Sequence, residues 1–170
     1  MAVSAYGLLD LVLEDFSFDH AETVLGWVRS ADEALRWAEV PYLRLATDVL
    51  DAWHAQPSVV PCVGLLGEEL CAYGLIVEEP TARAAEVSRV IVSPEVRGHG
   101  IGPAFASLLA AEARRRGFTS VFARTLRANR AAFDCYRDAG FVRVQREDEV
   151  ALNIGKAEDY VWHELAQSPA

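Results

Sequence analysis

Val90-Ile91-Val92-Ser93-Pro94-Glu95-Val96-Arg97-Gly98-His99-Gly100-Ile101-Gly102-Pro103 is the stretch on which the reading of this chain turns. An apolar β-branched run stops at Ser93-Pro94, and glycines follow at 98, 100 and 102. A helix pattern then begins at about Pro103. Proline is tolerated in a first helical turn, where its missing N–H has no intrahelical partner. Glycines permit unusual φ and close backbone approach. The free N–H groups of a helix start, backed by the positive end of the dipole, suit a phosphate.

Two common phosphate loops are excluded. A P-loop needs Gly-Lys-Ser/Thr, whereas the sole lysine is Lys156. A dinucleotide fingerprint starting at Gly98 and Gly100 needs glycine at 103, which is proline.

The same kind of reading extends along the chain. Leu8–Glu14, Ser58–Leu66, Leu70–Glu78, Ala85–Val92, Ser120–Thr125, Phe141–Arg146 and Tyr160–Leu165 read as strands, with a hairpin turn at Gly67-Glu68-Glu69. Phe18–Trp27, Ala31–Glu39, Tyr42–His54, Pro103–Arg116 and Asn129–Ala139 read as helices. Ser30 or Asp32 is available as a cap, and Gly117 and Gly140 serve as stops. The tail from Ala166 reads as loose. This order predicts an α+β chain with a mixed central sheet and helices on both faces. At 170 residues it predicts a single domain.

Composition narrows the partners. The net charge is −9. Residues 1–80 carry 14 acidic and 3 basic side chains, and residues 81–170 carry 11 and 13. One reading is plain solubility; the other is a cationic ligand for the first half and an anionic one for the second. No basic stripe speaks for nucleic acid. No long apolar run or leader pattern speaks for a membrane, so a cytoplasmic protein is expected. Cys62, Cys71 and Cys135 are an odd set without metal spacing and read as reduced thiols. The histidines lack metal spacing too, so no metal site is expected. Arginine in nearly every basic position points to a high-GC, bacterial source.

A second pattern, Asn129-x-x-Ala132-x-x-x-Tyr136-x-x-x-Gly140-Phe141, puts Asn129, Ala132, Phe133 and Tyr136 on one helix face. With it, Arg97-x-x-Gly100-x-Gly102 and its Val92-Ser93-Pro94-Glu95 lead resemble the acetyl-CoA loop of the Gcn5-related N-acetyltransferase (GNAT) family. The two patterns come in the family's order and span roughly 85–141.

The resemblance implies a GNAT fold and an acetyl-CoA-dependent N-acetyltransferase. The acetyl-CoA core would span about 85–141 and acceptor-side elements about 1–57. The strands at 85–92 and 120–125 would splay around the pantetheine arm. Val90, Ile91 and Val92 would bind that arm through the main chain, with an N–H near Val92 facing the thioester oxygen. Arg97, Gly98, His99, Gly100, Ile101, Gly102 and Pro103 would cradle the pyrophosphate. Asn129 and Phe133 would contact the arm, and Tyr136 would be the general acid toward the departing thiolate. Glu86, near the start of a bordering strand, is the candidate base. Arg127 and Arg130 are either phosphate contacts or solvated surface groups. Cys135 has no histidine at an obvious distance and does not read as a nucleophile.

One departure concerns the acceptor. Family members acting on ribosomal proteins often carry glutamate five residues before the motif asparagine, and here that position is Arg124. This weakens the case for a protein N-terminus. The acceptor segment, about 14–57, holds Asp15, Asp19, Glu22, Asp32, Glu33, Glu39, Asp48 and Asp51 beside Trp27, Trp37, Tyr42 and Trp53. That composition suits a small cationic amine. The alternatives are acetylation of a protein amine and a non-catalytic acyl-CoA-binding or regulatory module. Dimers are common in the family, and a homodimer stays open.

Overall fold

The computed structural model describes residues 10–167. Seven strands form one sheet in the order β1-β2-β3-β4-β5-β7-β6. They are β1 (Leu11–Asp15), β2 (Val59–Leu66), β3 (Glu69–Glu79), β4 (Ala84–Val92), β5 (Ser120–Thr125), β6 (Phe141–Arg143) and β7 (Val161–Leu165). β4 and β5 run parallel, and the other neighbours are antiparallel. The helices are α1 (Ala21–Gly26), α2 (Ala31–Ala38), α3 (Asp48–His54), α4 (Ile101–Arg115), α5 (Arg130–Asp138) and α6 (Arg146–Leu152).

Each face of the sheet has its own core. Phe105, Leu109 and Ala113 of α4 pack with Tyr136 of α5 and the following Ala139 on Ala72, Ile76, Val87, Val121 and Ala123. The other face carries Val24, Ala34, Trp37 and Leu50 from α1, α2 and α3 on Val63, Tyr73, Leu75 and Ile91. Two glycines let α4 sit low on the strands. A Cβ at Gly64 would lie 2.9 Å from the Phe105 ring, and one at Gly74 would lie 2.8 Å from a Leu109 methyl. That seat fixes where α4 begins, and so where the glycine turn lies.

Several expected elements shift. Leu8 and Leu9 of the first expected strand lie outside the described residues. The segment 18–27 divides into a 3-10 turn at Phe18–His20 and α1. The helix expected over 42–54 exists only from Asp48. Tyr42 and Leu43 are exposed and only Leu45 of the stretch before Thr47 packs on the core, too little to hold a helical face there. The strand expected over 141–146 stops at Arg143, and α6 follows. Its first turn holds Glu147, Asp148 and Glu149, a fair helix-start signal, but it has no apolar stripe. A buried carboxylate anchors it instead: Glu149 accepts hydrogen bonds from Arg127, Arg143 and Arg146.

Candidate active site

The site begins where two strands part. β4 pairs with β5 from Ala84↔Ser120 to Val87↔Ala123 and no further. Beyond Val87 the edge of β4 facing β5 has no strand partner among the described residues; the Arg89 and Val92 carbonyls accept from Trp37 and Arg97, and the other main-chain groups of that edge are available to a ligand. One extra residue on β4 helps to turn the strand. Tyr73 pairs with Ile91 but Leu75 with Ser88, and Arg89 takes a left-handed φ of 53°. Arg89 is held there from both ends. Its carbonyl accepts from Trp37 Nε1 at 2.7 Å, and its Nη1 donates to the Trp37 carbonyl at 2.6 Å.

A cleft of about 750 Å³ follows the parting. One end is walled by Val90, Ile91 and Val92, the turn at Arg97, Gly98, Gly100, Gly102 and Pro103, and α5 with its entry at Asn129. The other end is walled by Arg36, Trp37, Glu39, Ser88, Arg89, Arg124 and Tyr160, while Glu33 lies beside the turn, paired with Arg97. The turn needs its glycines: Gly98 and Gly100 have φ of 77° and 81°. A Cβ at Gly102 would meet Cys135 Sγ at 3.2 Å, so α4 and α5 pack closely at this glycine. No side chain caps the start of α4 at Gly100. Main-chain N–H groups there can hold phosphate oxygens, and the long unpaired edge of β4 can hold an extended arm. These residues therefore fit coenzyme A.

Tyr136 reaches the parting point from α5. Its hydroxyl donates to the Val87 carbonyl at 3.5 Å. Burial pushes its pKa above the ordinary phenol value, with further upward pushes from Cys135 and Glu86. It stays a neutral donor. Cys135 beside it is a thiol, because burial pushes its pKa up to about 12.

The expected ligand-binding residues divide into two groups. Val90, Ile91, Val92, Arg97, Gly98, Gly100, Gly102, Pro103, Asn129 and Tyr136 line the cleft. Among the described residues, His99, Ile101, Phe133 and Glu86 do not. His99 Nδ1 lies 2.9 Å from the Arg97 carbonyl, within its own loop. Ile101 puts its side chain in the core, leaving only main chain to the turn. Phe133 turns to His163, ring centroids 5.0 Å apart, and the Arg130 guanidinium lies over the Phe133 ring at 5.5 Å. Arg127 is committed to Glu149 and Asp159, whereas Arg130 lines the cleft.

Arg97 lines the cleft in an unexpected capacity. Its Nε donates to the Val92 carbonyl at 3.0 Å, its Nη2 to the Trp27 carbonyl at 3.1 Å, and its Nη1 pairs with Glu33 at 2.8 Å. The guanidinium ties the glycine turn to β4, α1 and α2. Glu86 Oε1 is buried 3.4 Å from Arg124 Nε, without hydrogen-bond geometry. Burial raises the Glu86 pKa, although Arg124 pulls it back.

The far end of the cleft is the part least visible in the sequence. Glu39, in a left-handed cap at the end of α2, accepts from Arg89 at 3.0 Å and from the Tyr160 hydroxyl at 2.8 Å. Burial works to raise its pKa, but those two bonds and the nearby guanidinium charges hold it below the usual carboxylate range. Of the acidic residues in 14–57, Glu33 and Glu39 reach the cleft, and both are paired with arginines. Of the aromatics in that segment, Trp37 reaches it. Among the described residues no cluster of side chains could hold a metal, and no helix is long and apolar enough to cross a membrane.

Residues 21–141 match the model of the Acetyltransferase (GNAT) family, and the chain belongs to that family. It is an N-acetyltransferase by that membership. No curated protein matches it significantly in sequence. Solved structures resemble it in fold. One is AAC(6')-Ib in complex with ribostamycin and coenzyme A, at 16% identity and TM-score 0.74, covering 93% of this chain and 94% of that one. Another is spermidine N-acetyltransferase from Vibrio cholerae with coenzyme A and spermine, at 15% identity and TM-score 0.68, covering 92% and 94%. A third is the GNAT domain of S. lividans PAT, at 22% identity and TM-score 0.68, covering 89% and 88%.

Proposed function

We propose that this enzyme moves an acetyl group from acetyl-CoA to the primary amine of a small molecule by direct attack. The observation that carries this reading is the position of the Tyr136 hydroxyl, on the Val87 carbonyl where β4 and β5 part, inside one continuous cleft. Two of the three similar structures named above contain a small amine, ribostamycin in one and spermine in the other.

In this reading acetyl-CoA supplies the thioester. The free edge of β4 at Val90, Ile91 and Val92 binds the pantetheine arm, and an N–H near Val92 faces the thioester oxygen. The N–H groups of the turn at 98–102 hold the pyrophosphate, and Arg97 keeps that turn in place. Asn129 caps α5, its Oδ1 accepting from Ala132 N–H at 3.2 Å, and so orients the helix that carries Tyr136. The acceptor enters from the Glu39, Arg89, Arg124 and Tyr160 end.

The acceptor must arrive as the neutral amine, having released one proton to solvent. As its nitrogen bonds to the acetyl carbon and the C–S bond breaks, Tyr136 gives a proton to the sulfur. The proton leaving nitrogen goes to a base. Glu39 touches the cleft but is too acidic. Glu86 is the carboxyl that burial makes more basic, and its Oε1 lacks a hydrogen-bond partner. It serves as base once an acceptor draws Arg124 aside. Holding both partners in register supplies much of the rate.

Thiol release from acetyl-CoA, measured against small amines and against peptides with free N-termini or lysines, tests this reading. Turnover of small amines well above peptides is expected. Turnover of peptides alone, or hydrolysis without any acceptor dependence, would contradict it.

A further inference from the structure

We infer that the acceptor carries a carboxylate beside its amine, and that Arg124 binds it. The inference rests on the acetyltransferase reading and names the acceptor's chemical class.

Arg124 follows Ala123, the last residue of β5 paired with β4, so it stands at the mouth of the gap. Val121, Ala123 and Thr125 are buried on the α4–α5 side, and alternation along β5 puts Arg124 on the opposite face, toward the acceptor end of the cleft. Its guanidinium lies over Tyr160 at 4.8 Å and over Trp162 at 5.6 Å to the ring centroids. Such stacking fixes the guanidinium plane and leaves its edge donors unused.

Those donors have no taker. The side chain is only 22% exposed, yet among the described residues nothing accepts a hydrogen bond from it. Its contact with Glu86 Oε1, at 3.4 Å, lacks hydrogen-bond geometry, and that oxygen is itself unpartnered. None of the guanidinium nitrogens is among the buried polar atoms left without a partner, so the free donors open on the cleft that Arg124 lines, where a ligand can take them. The neighbouring arginines use their donors within the protein: Arg89 bonds the Trp37 carbonyl and Glu39, and Arg97 bonds two carbonyls and Glu33. Arg124 therefore stands apart at this end of the cleft.

A carboxylate matches the guanidinium fork in shape and charge. Once it occupies Arg124, Glu86 Oε1 is released toward the amine. Arg124 and Glu86 form a loose ion pair with no hydrogen bond between them, and two opposite charges side by side at the cleft complement a zwitterion. A purely cationic acceptor would instead meet Arg89 and Arg124, while Glu33 and Glu39 are already neutralised. The acceptor class is thus an amino acid or a similar small amino carboxylate.

The test measures kcat/KM by thiol release for common L-amino acids, each beside its carboxamide and its decarboxylated amine. The best acceptor should be an acid, preferred at least about tenfold over both counterparts, a modest value for one charged hydrogen-bonded contact. Arg124→Gln should shrink that preference to about twofold through KM, and Arg124→Lys should keep part of it. Acetyl-CoA affinity by calorimetry should stay unchanged in both, which also shows that they fold. Amides or amines used as well as acids, or an acid preference that survives Arg124→Gln, would overturn the inference alone. Failure to bind acetyl-CoA, or to turn over any amine, would remove the acetyltransferase reading and this inference with it.

Discussion

The Tyr136 hydroxyl rests 3.5 Å from the carbonyl oxygen of Val87, the last residue through which β4 is paired with β5. One contact thus joins the proposed proton donor to the point where the sheet opens. The donor is placed by packing: Tyr136 is 4% exposed and its ring lies 5.5 Å from that of Phe141. A donor fixed by the core does not have to be ordered when the substrates arrive.

Tyr136→Phe removes the proton and little else. Turnover should fall about 100-fold, the lower end for a lost general acid. The KM for acetyl-CoA should stay within about twofold. Because burial holds the Tyr136 pKa above the ordinary phenol value, the native rate should show no loss from tyrosine ionisation up to pH about 10. Steady-state thiol release across that range checks both points.

Arg97 acts as a brace, so its loss should be felt in stability as well as in binding. Arg97→Met gives up hydrogen bonds to the Val92 and Trp27 carbonyls and the pair with Glu33. It should cost about 2 kcal/mol in urea unfolding and raise the KM for acetyl-CoA about tenfold. Glu33→Gln, which never touches a phosphate in this account, should raise the same KM by a smaller factor. An unchanged KM in Glu33→Gln would show that Arg97 acts on phosphate directly.

How far the sequence carries the reader is clearest from the contrast between the two ends of the cleft. The glycine turn and α5 are local: spacing, caps and stops put Gly100, Asn129 and Tyr136 in place without tertiary information. Arg97 was legible as a site residue but not as a brace, because its partners lie 5 and 70 residues away in the chain. The Glu39–Tyr160 bond spans 121 residues and depends on a left-handed cap at Glu39, a conformation no local pattern announces. The acidic residues of 14–57 suggested a cationic acceptor, yet most face solvent, and the two that reach the cleft are paired. α6 was missed for a related reason. It is held by ion pairs on Glu149, and periodicity reads only apolar burial.

Glu149 makes acid stability a second test of that helix. Burial opposes its ionisation, but hydrogen bonds from Arg127, Arg143 and Arg146 prevail and hold its pKa down to about 2. An unfolded glutamate titrates near 4.3. The folded value is the lower one, so this contribution is present above pH about 4 and fades as the pH falls toward 2. Glu149→Gln should cost about 3 kcal/mol near neutrality, as expected for a broken buried charge cluster, and should flatten the loss of stability below pH 4. Urea unfolding at stepped pH measures both.

The proposed binding of acetyl-CoA at the glycine turn underlies everything else, and calorimetric titration reads it directly. The native chain should bind with sub-millimolar affinity. Gly100→Glu should abolish the heat while keeping its circular dichroism, since it sets a charged side chain at a φ of 81° on the helix start that faces the phosphates. Absence of binding by the folded native chain, or undiminished binding by Gly100→Glu, would contradict the account.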